Sequence, residues 1–237
     1  MSFSNKHIFF DLDRTLWDFD SNSIFALNFI LEQEGLLVKC FGFDSFYKVY
    51  HQRNSLLWKK YGKGKLSKEE LRYERFRSTL KVFNIVDEEL IRRVGDAYVD
   101  ISPKQKLLFP NALSVLADLK SMGFNLHIIT NGFVEVQFEK LENAGLSPFF
   151  DVVICSEHIG FNKPHPNIFN HAMSEAKTKG SHSLMIGDDY RADISGALSA
   201  GMHAIWFEPN EKNTLKFENR ITDLIEIPQK AAQLLSA

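Results

Sequence analysis

Short, nearly all-apolar runs alternate with helical patterns through the second half of this chain, and that alternation constrains its fold more than any other feature. The runs cover residues 125–129, 151–155, 183–186 and 203–207. Between them the spacing predicts helices over 111–122, 134–144, 166–177 and 192–200, with Gly123, Gly145 and Gly201 as stops and Pro166 in a first turn. A short helix over 224–235 closes the chain. Strands with no polar alternation are buried on both faces, and intervening helices supply the crossovers of a parallel sheet. The fold class is therefore α/β, in three layers.

Residues 7–10, His-Ile-Phe-Phe, form one more apolar run, and its only candidate partners lie beyond residue 124. Between them the pattern is helical throughout. Ile24, Leu27 and Leu31 share a helical face before Gly35. Asp44 is the expected cap of a second helix running to Tyr61 and stopped by Gly62. Ser67 with Glu70 forms a capping-box signature for a third helix to Lys81, and Asp87 opens a fourth to Ile101. An all-helical block inside an α/β pattern reads as an insertion. The expected domains are a core of 1–17 with 104–237 and a helical insertion of 18–103.

Composition narrows the function classes. In 237 residues the net charge is only −2, which gives no reason to expect nucleic-acid or membrane-surface partners. Cys40 and Cys155 are far apart, so a disulfide framework is not expected. With no signal-peptide pattern and no long apolar run, the expected location is cytoplasmic. Nothing in the pattern specifies an oligomeric state.

The chemistry collects where the strands end, which is where open α/β sheets bind ligands. The first run stops at Asp11 and Asp13, with Thr15 beyond. In extended chain these two carboxylates share a face while Leu12 faces the core. Two charges so placed call for a divalent cation or a proton. The second run ends in Thr130 and Asn131, the third leads through a loop to Lys163, and the fourth ends in Asp188 and Asp189, with Asp193 one turn on.

These segments resemble the four motifs of the haloacid dehalogenase superfamily. Asp11-Leu12-Asp13-Arg14-Thr15 matches the first, Ile129-Thr130-Asn131-Gly132 the second, Lys163-Pro164 the third, and Gly187-Asp188-Asp189 through Asp193 the fourth. The resemblance implies a Rossmann-like core, a C1-type helical cap over the site and a small phosphorylated substrate. Trp17-Asp18-Phe19-Asp20 and Thr130-Asn131-Gly132-Phe133 are similar to the superfamily's nucleoside 5′-monophosphatases. One departure stands out: His165 follows Lys163 by two, where many relatives carry Asp.

A carboxylate can attack phosphorus and divide one hard step into two, and Asp11 is the expected nucleophile. Asp13 is the expected general acid and base. Asp11, Asp13 (in part through its backbone carbonyl) and Asp188 would hold Mg²⁺, with Asp189 and Asp193 as outer supports. Thr130 and the Asn131 backbone would donate to phosphoryl oxygens, and Lys163 would offset their charge. An acid at position 13 favours phosphate esters over halides, because halide needs no proton. Sugar-phosphate phosphatase or phosphomutase activity is the nearest alternative; a non-catalytic phospho-ligand binder and a 2-haloacid dehalogenase are more distant ones.

In the insertion, Phe41, Phe43, Phe46, Tyr47, Tyr50, Trp58, Tyr61, Tyr73 and Phe76 read mainly as core, with base stacking as the functional alternative. The basic residues from Lys59 to Arg77 read as a solvated face. His51, His127 and His203 have no metal-like spacing.

Overall fold

A computed structural model describes residues 3, 5–210 and 214–236. The chain divides into two compact units, Met1–Phe19 with Lys106–Ala237, and Asp20–Gln105. The first unit is built on a six-stranded parallel sheet: β1 (His7–Phe10), β2 (Asn125–Thr130), β3 (Val152–Cys155), β4 (Ser183–Gly187), β5 (His203–Phe207) and β6 (Arg220–Ile221), in the order β3-β2-β1-β4-β5-β6. β6 has no counterpart in the sequence pattern. Two residues show no period, and their pairing with Trp206 and Phe207 depends on a long-range contact.

The second unit holds α1 (Phe19–Gln33, whose first residue belongs to the other unit), α2 (Phe43–Tyr61), α3 (Lys68–Leu80) and α4 (Glu88–Ile101). Ser67 and Glu70 form both bonds of the capping box, and Asp87 accepts from the N–H groups of Glu89 and Leu90. Asp44 is not a cap: α2 starts one residue before it, after Gly42 at φ 93°. Phe46, Tyr50 and Phe76 join the buried core of this unit. Arg75 departs from the solvated face expected of the basic stretch. It is buried, with its guanidinium 4.7 Å from the Tyr98 ring and 5.4 Å from Phe76, and its Nε donates to the Arg72 carbonyl.

On the sheet, alternate strand residues face opposite layers. Ile8 and Phe10 pack with Ile128 and Ile186 beneath α5 (Ala112–Ser121) and the later α10. Phe9, Ile129 and Met185 face the other layer. After α6 (Val134–Asn143) and a one-turn α7 (Ser156–Ile159), that layer is built from α8 (Pro166–Glu175) and α9 (Gly196–Ser199). α10 (Ile227–Leu235) closes the first layer. His165 caps α8 through Nδ1, which accepts from the Asn167 N–H, so a histidine fills the cap position of this turn. The helix expected from Ala192 begins earlier, as a π-helical turn over Tyr190–Ser195, because the Asp189 carboxylate caps Arg191 and Ala192. No helix among the described residues is long and apolar enough to cross a membrane. Cys40 and Cys155 are free and buried.

At the amino end of the sheet, His127 is buried with Nε2 3.0 Å from His7 Nδ1 and its ring against Phe9. Its Nδ1 has no partner among the described residues. A proton on Nε2 leaves only a bare acceptor buried, the cheaper arrangement. Burial, then His7, push the His127 pKa down to about 4. The unfolded chain therefore binds the proton more readily, and stability falls as pH drops from about 6.5 towards 4, by roughly 3 kcal/mol. Urea denaturation of His127→Phe across that range is expected to show a loss smaller by about this amount than in the parent.

Candidate functional site

The sheet register sets the site. Phe10 is level with Ile128 on one side and Ile186 on the other, so the residues that follow β1, β2 and β4 emerge together. Asp11 leaves β1 with its N–H on the Ile186 carbonyl at 2.8 Å. Leu12 turns into the core as its position requires.

Lys163 is the hub. Its Nζ is buried and donates to Asp11 Oδ1 at 2.6 Å and to the Ile129 carbonyl at 2.7 Å, and it lies 2.7 Å from Asp193 Oδ1 as an ion pair. Asn131 places it: Oδ1 accepts from the Lys163 N–H at 2.8 Å and Nδ2 donates to the Lys163 carbonyl at 3.1 Å. Reading the sequence assigned work to the Asn131 backbone; this side-chain clamp was not legible there. Thr15 adds a long 3.4 Å contact to Asp11 Oδ2.

Asp11, Asp188 and Asp193 each offer a carboxylate oxygen, all within 4.8 Å of one another, a group able to hold a metal ion. Burial is the main reason the Asp11 pKa is pushed up to about 7; Lys163 opposes the rise and Asp193 adds to it. Burial and the other two carboxylates also hold Asp188 well above the usual range, and burial raises Asp193. Burial works against the charge on Lys163, but Asp11 and Asp193 outweigh it and keep the ammonium above the ordinary lysine range. Three close carboxylates outnumber the Lys163 ammonium and the Arg14 charge that acts on Asp188, and an oxygen-liganded divalent ion relieves such a surplus.

Asp193 reaches this cluster because the turn at 190–195 folds it back: its Oδ2 accepts the Asp189 N–H at 3.0 Å. A Cβ on Gly187 would overlap the Asp193 carboxylate, so only glycine fits there. Asp189, expected as an outer support, has its own carboxylate committed to the turn.

The Asp13 carboxylate lies outside the cluster. The strand ends at Phe10 and the chain turns sharply beyond Asp13, with Arg14 at φ 67°. Oδ1 takes a 2.6 Å ion pair with Lys140 and Oδ2 a 2.9 Å bond from Gln137 Nε2. Gln137 Nε2 also donates to Thr130 Oγ1 at 2.9 Å, and Gly132 N–H donates to the same oxygen at 3.1 Å. Both Thr130 lone pairs are thus occupied, and its O–H remains a donor. A side chain at Gly132 would strike Gln137. Gln137 and Lys140 were missed in the sequence; the available signal was two polar residues at i, i+3 on a helix directly after Thr130-Asn131-Gly132.

Over 206 residues, 86% of this chain and 87% of the other, the chain is 30% identical to the pyrimidine 5′-nucleotidase YjjG of Escherichia coli (strain K12). It is 32% identical over 206 residues, 84% of each chain, to a glyceraldehyde 3-phosphate phosphatase of Methanothermobacter thermautotrophicus. The crystal structure of the HAD-hydrolase YfnB from Bacillus subtilis, described as bound to magnesium, matches with a TM-score of 0.85 and 26% identity, over 98% of this chain and 99% of that one. The match to the family described as haloacid dehalogenase-like hydrolase runs over residues 5–201, from just before β1 to just beyond α9. With each of the four motif segments at the end of a strand or in the loop that follows, the chain belongs to that hydrolase family.

Proposed function

We propose that this chain is a Mg²⁺-dependent phosphomonoesterase that works through an aspartyl phosphate on Asp11, with nucleoside 5′-monophosphates as its substrate class. The observation that carries the reading is the buried Asp11 carboxylate, ion-paired to Lys163 and flanked by Asp188 and Asp193 at the carboxyl ends of the strands. Asp11 attacks phosphorus in line. Asp13 gives its proton to the ester oxygen as the P–O bond breaks, so the alcohol leaves neutral. Asp13 then takes a proton from water as the water oxygen attacks phosphorus, which releases phosphate and restores both carboxylates to their starting states. Thr130 O–H and the Asn131 N–H donate to phosphoryl oxygens, and Lys163 offsets their charge. Asp11, Asp188 and the Asp13 carbonyl would hold Mg²⁺, which supplies charge neutralisation at the phosphoryl oxygens.

Support for nucleotides comes from the resemblance of YjjG and of the pyrimidine 5′-nucleotidase PynA of Streptococcus pneumoniae, 31% identical over 206 residues. The glyceraldehyde 3-phosphate phosphatase likeness keeps sugar phosphates as the second reading. A panel of phosphomonoesters separates them. Phosphate release from nucleoside 5′-monophosphates, abolished by chelator and restored by Mg²⁺, is the expected result; turnover of sugar phosphates alone overturns the nucleotide assignment. Mg²⁺ is also expected to raise the melting temperature, and more at pH 8 than at pH 5. The carboxylates with raised pKa are neutral at the lower pH and give the ion less to compensate.

A further inference from the structure

Lys140 is a buried ammonium that the scheme above leaves unused. It sits one helical turn from Gln137 on α6, and both side chains reach Asp13. Its Nζ lies 4.3 Å from the centre of the Trp17 ring and 5.6 Å from that of Phe19. A methionine or leucine would pack against those rings without the cost of burying a charge. An ammonium there is therefore not explained by packing. What it adds is a fixed positive charge 2.6 Å from one Asp13 oxygen, while Gln137 holds the other at 2.9 Å.

We infer that Lys140, with Gln137 beside it, is a positioning residue for proton transfer by Asp13. The inference rests on the phosphomonoesterase reading. With each oxygen held by its own donor, the carboxyl plane is locked, and each oxygen keeps a second lone pair. The Asp13 side chain is 24% exposed, so these two donors do not seal it off. When the Asp13 proton passes to the ester oxygen and the electron pair of the P–O bond stays with that oxygen, Asp13 becomes a carboxylate. Held between Lys140 and Gln137, the carboxyl group keeps one orientation through both proton transfers and needs no reorganisation for either. Gln137 Nε2 also bonds Thr130 Oγ1, so the group that protonates the leaving oxygen and a group that holds the phosphoryl oxygens share one amide.

The test uses leaving groups of different basicity. p-Nitrophenolate departs with little need of a proton, whereas an alkoxide needs one. In Lys140→Met, kcat/KM is expected to fall about 100-fold for a nucleoside 5′-monophosphate and only about 3-fold for p-nitrophenyl phosphate. Lys140→Arg keeps the charge and is expected to recover much of the loss with the nucleotide. Equal losses on both esters would make Lys140 merely structural and overturn the inference, as would no loss on either. Should Lys140→Met fail to fold, Lys140→Gln reads the same ratio. If the parent protein hydrolyses neither ester, it is the phosphomonoesterase reading that fails, a result distinct from any ratio.

Discussion

Asp11→Asn is expected to abolish turnover, with kcat down roughly 10⁴-fold, because an amide oxygen at that position cannot form the acyl phosphate. The same variant is expected to fold at least as well as the parent. Asp11 is one of three carboxylates, two of them buried, around a single ammonium, and burial, which raises its pKa, works against its charge. Asn is the same size and removes that charge, while Lys163 keeps Asp193 and the Ile129 carbonyl. A melting temperature equal to or above the parent's, measured in chelator beside the activity loss, separates chemistry from folding. Full activity in this variant would eliminate the covalent route.

Lys163→Met has the opposite profile and is expected to damage both. Removing the cation leaves Asp11 and Asp193 buried without their partner and frees the Ile129 carbonyl. Breaking a buried pair from one side costs up to about 3–5 kcal/mol. Protonating those carboxylates removes the penalty. Their pKa values are raised already, so urea denaturation should show a deficit that is small at pH 5 and grows as the pH rises to 8 and beyond. Mg²⁺ is expected to restore part of the stability at pH 8, and activity is expected to fall at least about 100-fold. A deficit independent of pH would mean that the lysine acts through packing alone.

The strands were legible because each is an apolar run long enough to be buried on both faces; β6, with two residues, is not. Helix starts were legible where a side chain makes the cap, as at Ser67 and Asp87, and not where a glycine does, as at Gly42. At the site, the reading of strand ends gathered Asp11, Lys163 and Asp188, because the register of a parallel sheet brings those ends level. The donors that hold Asp13 were not legible, since Gln137 and Lys140 lie 124 and 127 residues away in sequence. α6 hid its contribution by inversion: Phe138 is 46% exposed while Lys140 is 3% exposed. An amphipathic reading assigns those two residues the other way round, and only the Asp13 carboxylate, 127 residues away in sequence, explains the exchange.

The sheet order bears on how the chain is made. β1 lies between β2 and β4, yet His7 pairs with Asn125 and Ser183, so β1 has both neighbours far downstream. At roughly 5–20 residues per second, β1 waits about 10–35 s on the ribosome before β4 exists. The helical unit, one continuous stretch from Asp20 to Gln105, can form during that interval. The core cannot, and β1 keeps an open edge until β4 has been translated. Any slowing of elongation between residues 105 and 187 lengthens that exposure, and aggregation of the nascent chain, rather than loss of the finished fold, is the failure it invites.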